Sequence, residues 1–202
     1  MIHHLSRLSI LAVLGTLCAM PAQADKILAQ TTFDTDLGGW TCSEPAALSW
    51  SAGGGNPGGR AVFSETGGTQ ATMIAPASFL AGAINYSKLN GKAYISWQHQ
   101  VVQEIDVRDN YPYQITISGP GGSAIFTASR PTTFNIGPWR QLVAPLVEAD
   151  WTVTNGSWIG ILTDVESIHI SIEQFVNGNI HEDVEAMDNI KVVSHPKGFS
   201  PK

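Results

Sequence analysis

The sequence runs to 202 residues, of which 43% are hydrophobic and only 14% charged, against roughly 25% charged in an average soluble protein; a disordered polyelectrolyte is excluded. Eleven Lys and Arg against 17 Asp and Glu leave a net charge of −6, which opposes binding to nucleic-acid phosphates or to anionic lipid. Twenty Gly and 11 Pro without a Gly-X-Y period exclude collagen and favour a turn-rich globular fold.

Residues 1–24 read as an address. Met1, His3, His4 and Arg7 open the segment, an apolar run from Leu8 to Met20 follows, and Pro21-Ala22-Gln23-Ala24 closes it with a small-x-small pattern. This predicts a secretory signal peptide cleaved ahead of Asp25, because about 13 apolar residues fall short of the roughly 20 that span a bilayer. Cys18 leaves with that leader, so Cys42 stands alone in residues 25–202 and no internal disulfide is available. Cys42 reads as a small buried hydrophobe, with an intermolecular bridge or a reactive thiol as the other readings.

From Asp25 onward a two-residue alternation dominates. Strands are expected over 27–33, 60–65 and 71–75. Between Trp50 and Arg60, Gly53-Gly54-Gly55-Asn56-Pro57-Gly58-Gly59 reads as a loop, and no Lys follows it as a phosphate-binding loop would require. Ala77 to Ala83, introduced by Pro76, reads as a turn or two of helix. Ile95, Trp97, His99 and Val101 then alternate with Tyr94, Ser96, Gln98 and Gln100, which gives one oily and one wet face. Tyr113, Ile115 and Ile117 alternate likewise up to the turn cluster Gly119-Pro120-Gly121-Gly122. Residues 123–128 and 139–143 are further strands, Ile159 to Val165 a second short helix behind polar Ser157, and Ile168, Ile170 and Ile172 a strand whose other face carries Ser167, His169, Ser171 and Glu173. Residues 189–194 form the last strand. Alternating strands joined by Gly and Pro turns imply antiparallel sheets packed as a sandwich, in a single domain over 25–202.

Several segments, in their order along the chain, carry a family resemblance. They are Phe33 with Gly39-Trp40, Gly55-Asn56-Pro57-Gly58-Gly59, Ala75-Pro76-Ala77-Ser78-Phe79-Leu80-Ala81-Gly82, Tyr86 to Tyr94, Trp139, Trp158 to Glu173 and Met187-Asp188-Asn189-Ile190. Together they resemble the laminin IV type A domain, also called laminin B, an extracellular module that also occurs in exported bacterial proteins. The resemblance implies an all-β jelly-roll sandwich akin to the galactose-binding-like and carbohydrate-binding modules, with a structural or interaction role and no enzymatic activity. The sequence lacks the flanking Cys-rich repeats of the animal setting, so a role in basement-membrane assembly is not carried over.

Acidic residues cluster at two places, Asp34 and Asp36 after the first strand and Glu182, Asp183, Glu185 and Asp188 around the start of the last. First and last strands are commonly neighbours in a jelly roll, so the two groups could converge. By resemblance to related jelly rolls, Asp34 and Asp188 would hold a structural calcium ion, which takes six to eight oxygen ligands; a solvated acidic loop is the other reading.

No Gly-x-Ser-x-Gly, His-Glu-x-x-His or Cys-x-x-Cys is present, so the signatures of a nucleophile elbow and of zinc sites are missing. No catalytic residue is assigned. Trp40, Trp97, Trp139 and Trp158 are expected in the core, whereas Tyr94, Tyr111 and Trp151 are the aromatic residues expected at the surface to meet a ligand such as a stacked sugar ring. Three functions of different classes remain open. The leading one is a secreted, non-catalytic binding or adhesion module for a glycan or an extracellular partner. The second is a small polysaccharide lyase or glycosidase, and the third a purely structural envelope protein.

Overall fold

A computed structural model describes residues 24–64, 70–103, 112–128, 136–173 and 183–195; all of the expected leader but Ala24, and also Tyr111, lie outside the described residues. The strands form two antiparallel sheets. The first places β3 (Leu48–Gly55), β4 (Gly58–Ser64), β12 (Val184–Ser194), β6 (Ala93–Gln103) and β9 (Arg140–Pro145) side by side, with β1 (Lys26–Thr31) also paired to β12. The second runs β10 (Trp151–Gly156), β8 (Gly122–Thr127), β7 (Gln114–Gly119), β11 (Ser167–Ser171), β5 (Thr72–Ile74) and β2 (Thr41–Cys42). A six-residue helix, α1 (Trp158–Thr163), links β10 to β11. This is the antiparallel sandwich expected from the alternation, with the jelly-roll architecture that the resemblance implies.

The strand period decides what each residue meets. On β6, Ile95, Trp97, His99 and Val101 are buried between the sheets, while Tyr94, Gln98 and Gln100 on the opposite face are half-buried. Ile115 and Ile117 of β7 and Ile168 and Ile170 of β11 close the core from the second sheet, all at 1% exposure or less. Each such apolar side chain contributes about 1.5–3 kcal/mol by leaving water. Trp40, Trp97 and Trp158 are among the largest fully buried side chains, as expected, whereas Trp139, also expected in the core, is only half-buried. Cys42 is buried and unbridged, with its thiol pushed up by burial.

Several elements differ from the sequence reading. The Gly-rich stretch is not a loop throughout: Gly53 to Gly55 extend β3 and turn at Asn56-Pro57 into β4, which starts at Gly58. Glycine is required there because a Cβ on Gly59 would collide with the carbonyl oxygen of Phe33. Trp151 to Gly156 form β10, where Trp151 and Val153 face inward and Thr152 and Thr154 outward. The helix expected over 77–83 is only a 3-10 turn at Ala77–Phe79. The later helix is present, and Ser157 caps it by accepting the Gly160 N–H.

The last strand begins at Val184, five residues before the expected start, and carries a register shift between Asp188 and Lys191. Asn189 takes a left-handed backbone there, φ +50°, which Asn adopts more readily than most residues. Such a bulge re-aims side chains, and here it sets the directions of both Asp188 and Asn189.

Candidate functional site

The outer face of the first sheet carries a cleft of about 510 Å³, within the usual size of a small-molecule site. Its floor comes from three adjacent strands: Ser96 of β6, Gln141 and Val143 of β9, and Lys191 and Val193 of β12. Cross-strand register makes this placement necessary, since Ser96 pairs with Lys191 on one side and with Val143 on the other. One end is closed by Tyr94, Asp25 and His195. Asp25 takes a hydrogen bond from the Tyr94 hydroxyl at 3.4 Å and a close contact from Nδ1 of His195. Desolvation, followed by the Asp25 charge, pushes the Tyr94 phenol up, so it remains a neutral donor.

Amides extend this polar face across the sheet. Gln98 Oε1 accepts from Asn189 Nδ2 at 3.0 Å, and Gln100 Oε1 accepts from Arg60 at 2.7 Å. The Asn189 amide also donates to the Asn56 carbonyl at the tip of the β3–β4 hairpin.

The two expected metal-ligand residues come together beside that hairpin tip. Because β1 pairs with β12, the chain leaving β1 passes the Asp188 bulge. Asp188 is fully buried; its Oδ2 accepts the Asn56 N–H and its Oδ1 the Asn189 N–H, each at 2.6 Å. Burial pushes the Asp188 carboxyl up, those two N–H groups draw it down, the nearby Asp34 charge pushes it up again and the Lys191 charge draws it down. Asp34 is exposed and accepts the Thr32 hydroxyl at 2.6 Å. Phe33 holds the turn in a left-handed conformation, φ +51°, while its carbonyl accepts Trp50 Nε1 at 2.7 Å.

Inside the sandwich lies a second polar group. His99 Nε2 donates to the Ile172 carbonyl at 3.1 Å, and its ring meets Tyr113 edge-on at 5.0 Å between centroids. Arg140 is its cross-strand neighbour on β9, and Glu185 Oε1 stands 4.0 Å from Nε2. Burial lowers the His99 pKa to about 4, so at neutral pH the ring is uncharged and the Glu185 approach is not an ion pair. Burial likewise raises Tyr113 to about 12. His99, Tyr113 and Arg140 thus lie close together, with His99 and Tyr113 0% exposed.

Of the three aromatic residues expected at a ligand, Tyr94 lines the cleft and Tyr111 lies outside the described residues. The surface position expected for Trp151 is corrected: it is 7% exposed, stacked obliquely between Phe126 and Trp158, with Nε1 donating to the Pro145 carbonyl at 2.6 Å. The β10 alternation turns it into the core. Lys191, Gln141, Asp25 and His195 were missed. The wet face of β6 pointed to this side of the sheet, but the neighbours that complete the cleft depend on register, which no local pattern states.

No protein-family model matches the sequence, and no curated protein matches it. Solved structures do. The L4b domain of human laminin alpha-2 superposes with a TM-score of 0.54 at 12% identity, over 82% of this chain and 96% of that one. A xylan-binding domain of carbohydrate-binding module family 22 gives 0.53 at 14% identity, over 83% and 94%. The family 11 carbohydrate-binding module CtCBM11 gives 0.52 at 16% identity, over 86% and 97%. At these identities the likeness is one of fold. It joins the laminin-like and the carbohydrate-binding-module-like expectations in one architecture.

Proposed function

We propose that the chain is an extracytoplasmic, non-catalytic glycan-binding module whose ligand lies in the cleft on the outer face of the first sheet. The observation that carries this reading is the cleft itself, a polar floor of Ser96, Gln141 and Lys191 with the Tyr94 ring at one end. Hydroxyl-rich ligands need both donors and acceptors, which amides and hydroxyls supply together. The fold shared with a xylan-binding domain supports the same reading. The leader expected over 1–24 supports export, and no helix among the described residues is long and apolar enough to cross a membrane.

A glycan array combined with reducing-sugar and unsaturated-product assays tests this proposal. Binding without turnover is expected, with affinity reduced by Tyr94→Ala. Turnover would favour the enzyme, and silence in every arm the structural protein.

The reading includes a structural calcium ion at Asp34 and Asp188. Two neighbouring carboxylates, with no His or Cys grouped with them among the described residues, suit a hard cation, and a cation would offset the Asp34 repulsion that adds to burial in raising Asp188. Among the described residues no group of three His, Cys, Asp or Glu forms, so main-chain carbonyls and water would complete the shell. The hydrogen bonds of Asp188 already hold the hairpin, and the ion would add a further tie between the chain after β1 and the Asp188 bulge of β12.

A further inference from the structure

Lys191 stands on the cleft floor between Ser96 of β6 and Gln30 of β1. Among the described residues no hydrogen bond or ion pair engages its ammonium. The nearby carboxylates are committed elsewhere: Asp25 to His195 and Tyr94, and Asp188 to the Asn56 and Asn189 N–H groups. The Lys191 charge draws the buried Asp188 carboxyl down, yet no acceptor among the described residues contacts the half-buried ammonium, which faces the cleft as a local cation in a chain whose net charge of −6 opposes polyanions at long range. A charge-assisted hydrogen bond is roughly twice as strong as a neutral one.

We infer that the cleft selects an anionic glycan, one whose sugar carries a uronate carboxylate or a sulfate ester, and that Lys191 is the residue that reads this charge. The inference rests on the glycan-binding reading and narrows it. The anionic substituent sits at the middle of the floor, because the Asp25 end would repel it. Ser96, beside Lys191, supplies a hydroxyl donor to a remaining oxygen, while the Gln141 amide donates to the Trp97 and Leu142 carbonyls and leaves its Oε1 to accept from a sugar hydroxyl. Tyr94 receives the neighbouring sugar, to which its un-ionised hydroxyl and ring edge are suited.

Matched polymers test it. Binding of the protein to polygalacturonate is compared with binding to the same polymer after carboxyl reduction, and binding to a sulfated galactan with binding to its desulfated form. The wild type is expected to prefer at least one charged polymer over its neutral counterpart by roughly tenfold, with the preference fading as salt rises. The carboxylate and sulfate arms distinguish the two sources of charge. Lys191→Gln, checked by circular dichroism to be folded, should abolish the preference for the charged polymer, and Lys191→Arg should restore most of it. Equal or tighter binding of both neutral polymers, or a preference that survives in Lys191→Gln, overturns the inference and leaves the glycan-binding reading standing. Absence of binding to these polymers and to the glycan array overturns both.

Discussion

Acidification tests the buried polar group most directly, because His99 is held neutral in the fold. Its pKa is about 4 there against 6.5 in the ordinary state. Below 6.5 the unfolded chain takes up a proton that the folded chain refuses until about pH 4, so stability is intact above 6.5 and is lost as pH falls through that window. At about 1.4 kcal/mol per pKa unit the full loss is about 3 kcal/mol, of which about 2 kcal/mol has gone by pH 4.5. For a chain of this size that corresponds to a fall of roughly 4–8 °C in Tm. Urea unfolding at pH 7 and pH 4.5 should be compared between wild type and His99→Gln, whose amide can still donate to the Ile172 carbonyl. The raised carboxyl of Asp188 acts in the opposite direction, adding stability as pH falls, but it is common to both proteins and drops out of the difference. His99→Gln should therefore lose about 2 kcal/mol less than wild type over this interval. Equal losses in the two proteins would refute the placement of an unprotonated imidazole in the core.

Trp151→Ala should destabilise the protein by about 3–5 kcal/mol in urea unfolding, as for other buried aromatic truncations, while leaving glycan affinity unchanged in the variant that stays folded. Gly59→Ala drives a methyl group into the Phe33 carbonyl and should cost about 1–3 kcal/mol; an unchanged unfolding midpoint would mean that the hairpin does not press on that turn. If calcium binds at Asp34 and Asp188, saturation at a hundredfold excess over Kd adds about 2.7 kcal/mol, so chelation should lower Tm by roughly 5–10 °C. Calcium but not magnesium should reverse this, and Asp34→Ala or Asp188→Ala should remove the response. Identical melting of wild type in chelator and in millimolar calcium would dismiss the ion.

What the sequence made legible was set by the range of the physics involved. The alternation of Ile95, Trp97 and His99 against Tyr94, Ser96 and Gln98 is local, and it gave the fold class and the correct faces of β6. The Gly-rich arm of β3 misled because its strand character comes from a partner, β4, and from close approach to the Phe33 turn, where side chains are excluded. Trp151 misled for a different reason: the alternation of Trp151 and Val153 with Thr152 and Thr154 was readable but short. The convergence of Asp34 and Asp188 was legible from chain order, since first and last strands were expected to adjoin. Lys191 was not, because its position on the cleft floor depends on the one-residue offset introduced at Asn189.

The three partners of β12 carry a consequence for how the chain reaches its native state. β1, β4 and β6 all hydrogen-bond to this final strand, and the Asn56–Asp188 bond alone spans 132 residues of sequence. A sheet completed by pairings this distant is slow to assemble, because the loop-closure entropy is lost before the contacts form. Until residues 184–194 dock, three strands present open edges that could template pairing with another copy of the chain. The fold is therefore completed from its end, and a chain interrupted before Val184 is left with the makings of an aggregate in place of its central strand.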